Sequence, residues 1–254
     1  MNDTGSPARN FARHIASNRY PGRGLIIGRS AVAAAADDAA DADADADADA
    51  WFLLYWIMGR SDSSRNRRFA IEGSVLRTEP VDSTKLDAPE LIIYPAMLEL
   101  PGTYIVANGD QSRTIYDALC DGGTFEAALA TREREPDAPN YTPRISGMLD
   151  LNGPPAVTLS VLRANPTDRA LTDRLTYRPD PPPPGLGLCL TTYMGDGTPL
   201  PAFSGDPLLM PLEGGAEEVM GTYWDALDEE NRVAIALKSV TRDGGSELMA
   251  INRF

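Results

Sequence analysis

Apolar and polar positions along this chain fall into short runs with clear periods, and these predict most of its elements. Residues 24–28 and 52–58 are compact apolar runs bounded by turn residues, the pattern of buried strands. The longest run, WFLLYWIM from Trp51, falls well short of the roughly 20 residues that a membrane helix needs. Residues 69–78 alternate, residues 91–98 are apolar, and 104–107 end at the turn Asn108-Gly109-Asp110. The period then changes. Residues 112–121 and 124–133 carry apolar side chains at helical spacing, with Gly122-Gly123 as the break and Thr124 as the N-cap. Strand patterns return at 142–151, 156–163 and 187–194, and Pro181–Pro184 is a stiff extended spacer. Residues 216–227 form an amphipathic helix, and 232–241 with 247–252 read as a closing hairpin around Asp243-Gly244-Gly245. Strands dominate and helices come in two blocks. The expected class is α+β, with helices packed on sheet faces. No glycine-rich dinucleotide fingerprint and no Walker loop is present.

Two segments fall outside this pattern. Residues 1–19 are polar, lack a period and contain the sole histidine, His14, so they are expected to form a flexible leader. Residues 31–50 collapse into Ala-Asp alternation. Alanine and aspartate are poor strand formers, and aspartates spaced by two repel one another, so this tract is expected to be a disordered, solvated insertion. It lacks the glycine and glutamate of a calcium loop. The remainder, 20–254, is expected to be a single domain.

Composition changes the picture in one respect. The 254-residue chain carries a net charge of −14, and Lys85 and Lys238 are its only lysines. An acidic, lysine-poor surface stays hydrated where salt screens nearly everything, which points to a high-salt cytoplasm. The charge argues against nucleic acid as a partner. Cys120 and Cys189 have no metal-ligand spacing and no histidine partner. A Ser-His-Asp set is absent, and no cofactor or metal is expected.

Against this acidic background, the loop after Met58 is basic: GRSDSSRNRR, with Arg60, Arg65, Arg67 and Arg68. Guanidiniums grip phosphate bidentately, and serine hydroxyls complete its shell. Three further polar clusters flank apolar strands: NGDQSRT from Asn108, EPDAPNYTPR from Glu135 and YMGDGTPLP from Tyr193. Arg23 and Arg29 flank the first strand. Loops at strand ends can converge on one cleft, so a shared polar pocket for a small anion is expected.

The blocks YPGRGLIIGRS, YWIMGRSDSSRNRRF, NGDQSRTIYDAL, REREPDAPNYTPRISG and TYMGDGTPLPAF resemble the archaeal-type IMP cyclohydrolase family, from about Tyr20 to the C-terminus. The resemblance implies a four-layer αββα sandwich similar to N-terminal-nucleophile hydrolases, without a terminal nucleophile. It implies closure of 5-formamidoimidazole-4-carboxamide ribonucleotide to IMP with loss of water, in purine synthesis in the cytoplasm. A non-catalytic nucleotide-binding protein and an amide hydrolase on the same fold are the alternatives. By resemblance, Arg23, Arg29, Arg65, Asn66 and Arg67 hold phosphate and ribose or polarise the formyl oxygen. Tyr94 is the general acid. Asn108, Asp110, Asn140, Tyr141 and Arg144 line the base, and Asp110, Glu135 and Asp137 are candidates for the general base. The partner is a purine nucleotide, with no membrane. A homo-oligomer is compatible with the chain.

Overall fold

The computed structural model describes residues 6–31, 50–85 and 92–254. The protein is α+β, built on two antiparallel sheets. Strands β1 (Gly24–Arg29), β2 (Trp51–Met58), β10 (Leu186–Thr191), β11 (Leu208–Pro211), β12 (Arg232–Val240) and β13 (Ser246–Asn252) make a six-stranded sheet in the order β11-β10-β1-β2-β12-β13. The other seven strands run in sequence order: β3 (Arg68–Glu72), β4 (Val75–Glu79), β5 (Pro95–Leu100), β6 (Thr103–Ala107), β7 (Arg144–Asp150), β8 (Ala156–Ala164) and β9 (Thr172–Tyr177).

Strand β2 shows why the sheets stack. Side chains alternate across a strand, so one continuous apolar run supplies two buried faces. Trp51, Leu53, Tyr55 and Ile57 enter the core shared by the two sheets, with Leu25, Ile27, Val106, Ile145 and Leu159. Phe52, Leu54, Trp56 and Met58 face the other way, onto a helical layer. That layer holds α5 (Ala216–Ala226), through Val219, Met220 and Tyr223. On the far side of the seven-stranded sheet, α3 (Gln111–Cys120) and α4 (Phe125–Ala130) bury Ile115, Phe125 and Leu129 against Ile105 and Leu162. Thr124 caps α4 by accepting from the amide of Ala127, 3.2 Å away. The layers therefore run helices, sheet, sheet, helices. No helix among the described residues is long and apolar enough to cross a membrane.

Several expectations need correction. Residues 6–18 do not form a flexible leader. Ser6 caps α1 (Pro7–Phe11), with Pro7 in its first turn, and a π-helical turn follows over Ala12–Ala16. Ile15 is fully buried, and the Phe11 ring packs edge-on to Tyr223 at 5.1 Å. Residues 69–78 are not one strand. They form the β3–β4 hairpin, turning at Gly73, whose positive φ of 60° suits glycine. β9 and β11 extend the sheets where no strand was expected. Most of the Ala-Asp tract, residues 32–49, and residues 1–5 of the leader lie outside the described residues.

Candidate active site

Antiparallel register fixes which loops can meet. Gly24 pairs with Thr191 and Trp56, so the start of β1 lies beside the ends of β10 and β2. Ala107 pairs with Ser146, which puts the end of β6 beside the start of β7. These ends lie together at one end of the sandwich, and a cleft of about 570 Å³ opens there. Its walls come from residues 20–23, the loop after β2, the segment before β7 and the loop after β10.

A buried ion pair forms its base. Arg23 and Glu135 have side chains only 8% and 6% exposed, and Nη2 of Arg23 meets Oε1 of Glu135 at 2.9 Å. Nη1 of Arg23 donates to the carbonyl of Asn108 at 2.8 Å, so one guanidinium ties the two sheets together. Burial opposes the Arg23 charge, but Glu135, Tyr94 and Tyr55 together outweigh it and hold the guanidinium well above its ordinary pKa. Gly22 makes this approach possible. Its φ is +73°, and a Cβ there would meet Thr192 Oγ1 at 2.2 Å.

The second wall is aromatic and hydroxylic. Tyr20 and Tyr193 stack at 5.9 Å, and the Arg60 guanidinium lies 4.2 Å over the Tyr20 ring while holding Asp196 at 2.6 Å. Burial raises the Tyr20 hydroxyl above its ordinary range, and the fields of Arg23, Arg67, Arg60 and Arg65 oppose that rise. The hydroxyl of Tyr193 is 2.6 Å from Thr142 Oγ1, and Thr142 donates in turn to Asp137. The third wall is the short helix α2 (Asp62–Arg65), closed by reciprocal bonds between Ser61 and Ser64. Arg67 follows it. Its Nε donates to the carbonyl of Ser64 at 3.1 Å, while its Nη1 is buried and has no partner among the described residues.

Of the residues expected from the sequence, Arg23, Arg67, Glu135, Asp137 and Asn140 line this cleft. The others do not line it. Arg29 sits at the opposite end of β1, against Trp51. At about 3.3 Å per residue, that is roughly 20 Å from Arg23. Arg65 turns its Nε back to the carbonyl of Gly59 at 3.0 Å. Asn66 is spent on Asp82, donating to its carbonyl and accepting from its amide. Asn108 is fully buried and fastens Pro143, Gln111 and Ile145. Asp110 bridges Arg132 and Arg144. Tyr141 is held between Arg134 and Arg169 at a φ of 50°. Tyr94 is 1% exposed; it lies at the cleft end of the sandwich just before β5, with its hydroxyl 2.8 Å from that of Tyr55. Both tyrosines act electrostatically on Arg23, favouring its charge.

Sequence reasoning named Arg60 only within the basic loop and Tyr193 only as the start of a polar block, and gave no role to Tyr20, Thr142 or Thr192. All five lie in or beside the polar blocks, but nothing in the sequence marks which side chain of a block faces inward.

A cleft with one unpartnered guanidinium nitrogen, a buried ion pair and stacked tyrosines has the chemistry to hold a small anionic ligand with polar edges. A family model described as IMP cyclohydrolase-like protein matches residues 42–245. The chain belongs to that family. The match includes the loops after β2, before β7 and after β10, and it leaves out Tyr20, Gly22 and Arg23. No curated protein matches the chain.

Proposed function

We propose that this protein is an IMP cyclohydrolase, closing 5-formamidoimidazole-4-carboxamide ribonucleotide to IMP and water, on a sandwich similar to that of N-terminal-nucleophile hydrolases. The observation that carries the reading, beside the family, is Arg67: a residue of the cleft wall whose guanidinium keeps one buried, unpartnered nitrogen, beside a cleft already furnished with hydroxyls. A phosphate would supply its missing acceptors, with Ser63 on the same wall and Arg60 on the neighbouring one. This leaves the purine edge for Arg23, Glu135 and the segment Asp137–Thr142.

The chemistry asks little beyond position. The carboxamide nitrogen and the formyl carbon occupy adjacent ring positions, so attack is intramolecular once both groups are turned toward each other. The formyl oxygen becomes an oxyanion, and donors aimed at it lower the barrier. Arg23, fixed by Glu135 and the Asn108 carbonyl, supplies charge there. Tyr94, outside the lining and paired with Tyr55, would act on that charge through Arg23. The test is turnover of the formamido ribonucleotide by purified protein in molar potassium chloride, with chelator and without folate, followed by the absorbance change of ring closure. IMP formation is expected. IMP binding without turnover would make the protein a nucleotide-binding module. Activity restored only by added zinc would overturn the metal-free mechanism.

A further inference from the structure

The cleft contains a chain of three hydroxyl and carboxyl groups with a defined polarity. Thr142 is 4% exposed and Tyr193 5% exposed. Asp137 accepts twice from Thr142, from its amide at 2.6 Å and from its Oγ1. A threonine hydroxyl has one proton. With that proton committed to Asp137, the 2.6 Å contact between Thr142 and Tyr193 must be a donation from Tyr193. The chain therefore runs Tyr193 to Thr142 to Asp137, and it leaves the Tyr193 oxygen as an acceptor. All three residues line the cleft.

We infer that Tyr193, Thr142 and Asp137 form a proton relay, in which Tyr193 takes the proton from the attacking carboxamide nitrogen and Asp137 receives the far end of the transfer. The inference rests on the cyclohydrolase reading. As the N–C bond forms, the nitrogen proton passes to the Tyr193 oxygen. The Tyr193 proton passes to Thr142, and the Thr142 proton to Asp137. The formyl C=O becomes C–O⁻. Running backward, the relay returns a proton to that oxygen and gives the neutral carbinolamine. In the second step the former formamide nitrogen loses its proton, the C=N bond forms and the C–O bond breaks. The oxygen leaves as water, with the relay again carrying the proton. No net proton is gained or lost, and Tyr193 is never left as tyrosinate. Burial, which raises the Tyr193 hydroxyl well above its ordinary range, suits that neutrality. Tyr193 is then the catalytic contact, and Thr142 and Asp137 act through it.

The test uses Thr142→Val and Thr142→Ser in the full chain, with Asp137→Asn as a second perturbation. Turnover number, Michaelis constant, IMP affinity and thermal midpoint are measured for each. A relay predicts that Thr142→Val lowers kcat by about 100-fold while KM and IMP affinity stay within about threefold. Thr142→Ser, which keeps the hydroxyl, should recover kcat to within about fivefold of wild type. Asp137→Asn should match Thr142→Val, because an amide cannot take the proton. Near-wild-type kcat in Thr142→Val, or equal losses in Val and Ser, would overturn the relay and leave a packing role. If Thr142→Val fails to fold, Asp137→Asn decides by the same criteria. Failure of the wild-type protein to close the ring overturns the cyclohydrolase reading and the relay with it. Wild-type turnover with an unaffected Thr142→Val overturns the relay alone.

Discussion

Lys238 stands out as one of only two lysines and as a fully buried one. It lies on β12 with its side chain 1% exposed, and its Nζ donates to Glu99 of β5, which is 25% exposed. The Ser74 carbonyl accepts a second bond at 2.7 Å, and Ser246 donates to the same carboxylate at 3.0 Å. The pair joins the two sheets at the end opposite the cleft. Its two halves should not be equivalent. Glu99→Ala strands an ammonium in the core with one acceptor, and breaking a buried pair this way costs about 3–5 kcal/mol. A separate bound agrees. The lysine can shed its proton instead, and from an unfolded pKa of about 10.4 this costs at most about 4.6 kcal/mol at pH 7. At about 2–4 °C per kcal/mol for a chain of this size, the thermal midpoint should fall by on the order of 10 °C. Lys238→Met should cost about 1 kcal/mol or less, because the partly exposed Glu99 rehydrates and the apolar stem is replaced.

The pH dependence separates this account from simple loss of packing. Burial already lowers the Lys238 pKa, and Glu99 opposes that effect. Without Glu99, the folded-state value falls further below the unfolded one. Between the two values the unfolded chain binds more protons, so stability rises with pH. The deficit of Glu99→Ala should therefore narrow between pH 7 and pH 10, by up to about 1.4 kcal/mol per unit. In the intact protein, burial pushes the Glu99 carboxyl up, but Lys238 and Ser246 outweigh it and the net shift is downward. That contribution is present above the unfolded carboxyl pKa and is lost as pH falls through the folded one. Urea unfolding of both variants at fixed salt, at pH 7 and pH 9, measures these quantities. Equal losses in the two variants, or a deficit that does not change with pH, would refute the reasoning.

Three further outcomes follow from the site. Arg67→Ala should weaken IMP binding by about 30–150-fold, the equivalent of about 2–3 kcal/mol, with little change in thermal midpoint; unchanged binding would leave Arg67 a mere wall residue. Tyr94→Phe should lower turnover by about 100-fold and, by removing the partner of the Tyr55 hydroxyl, should cost about 1–3 kcal/mol of stability. Turnover within threefold of wild type would restrict Tyr94 to the core. Asn66→Ala should loosen the turn at Asp82–Lys85 and cost about 1–3 kcal/mol while IMP affinity stays near wild type, since Asn66 spends both ends of its amide on Asp82; a large loss of affinity would return it to the binding set.

How much of this was legible in the sequence depends on what each side chain does. Strands with two buried faces announce themselves as unbroken apolar runs, as β2 does. β9, TDRLTY, lies at a sheet edge with no residue fully buried, so it offers no such run. β11 is only four residues long and ends in proline. The leader did carry a signal, in Ser6-Pro7 followed by Phe11 and Ile15 one helical turn apart, but two apolar residues in a polar stretch are weak evidence. The site was legible as a set of loops and not as individual residues. Arginine and asparagine serve phosphate and backbone carbonyls equally well. Nothing in the sequence tells Arg67, with its unpartnered nitrogen, from Arg65, which caps Gly59, or from Arg144, which holds Asp110 and Gln111. Arg29 is different, because elementary geometry excludes it. Arg23 precedes and Arg29 ends a single six-residue strand, and a strand cannot bring both of its ends to the same cleft. Any site built from strand-end loops must take one of the two. The neighbouring blocks decide for Arg23, because in an antiparallel sheet the loop after β2 stands beside the residue that precedes β1.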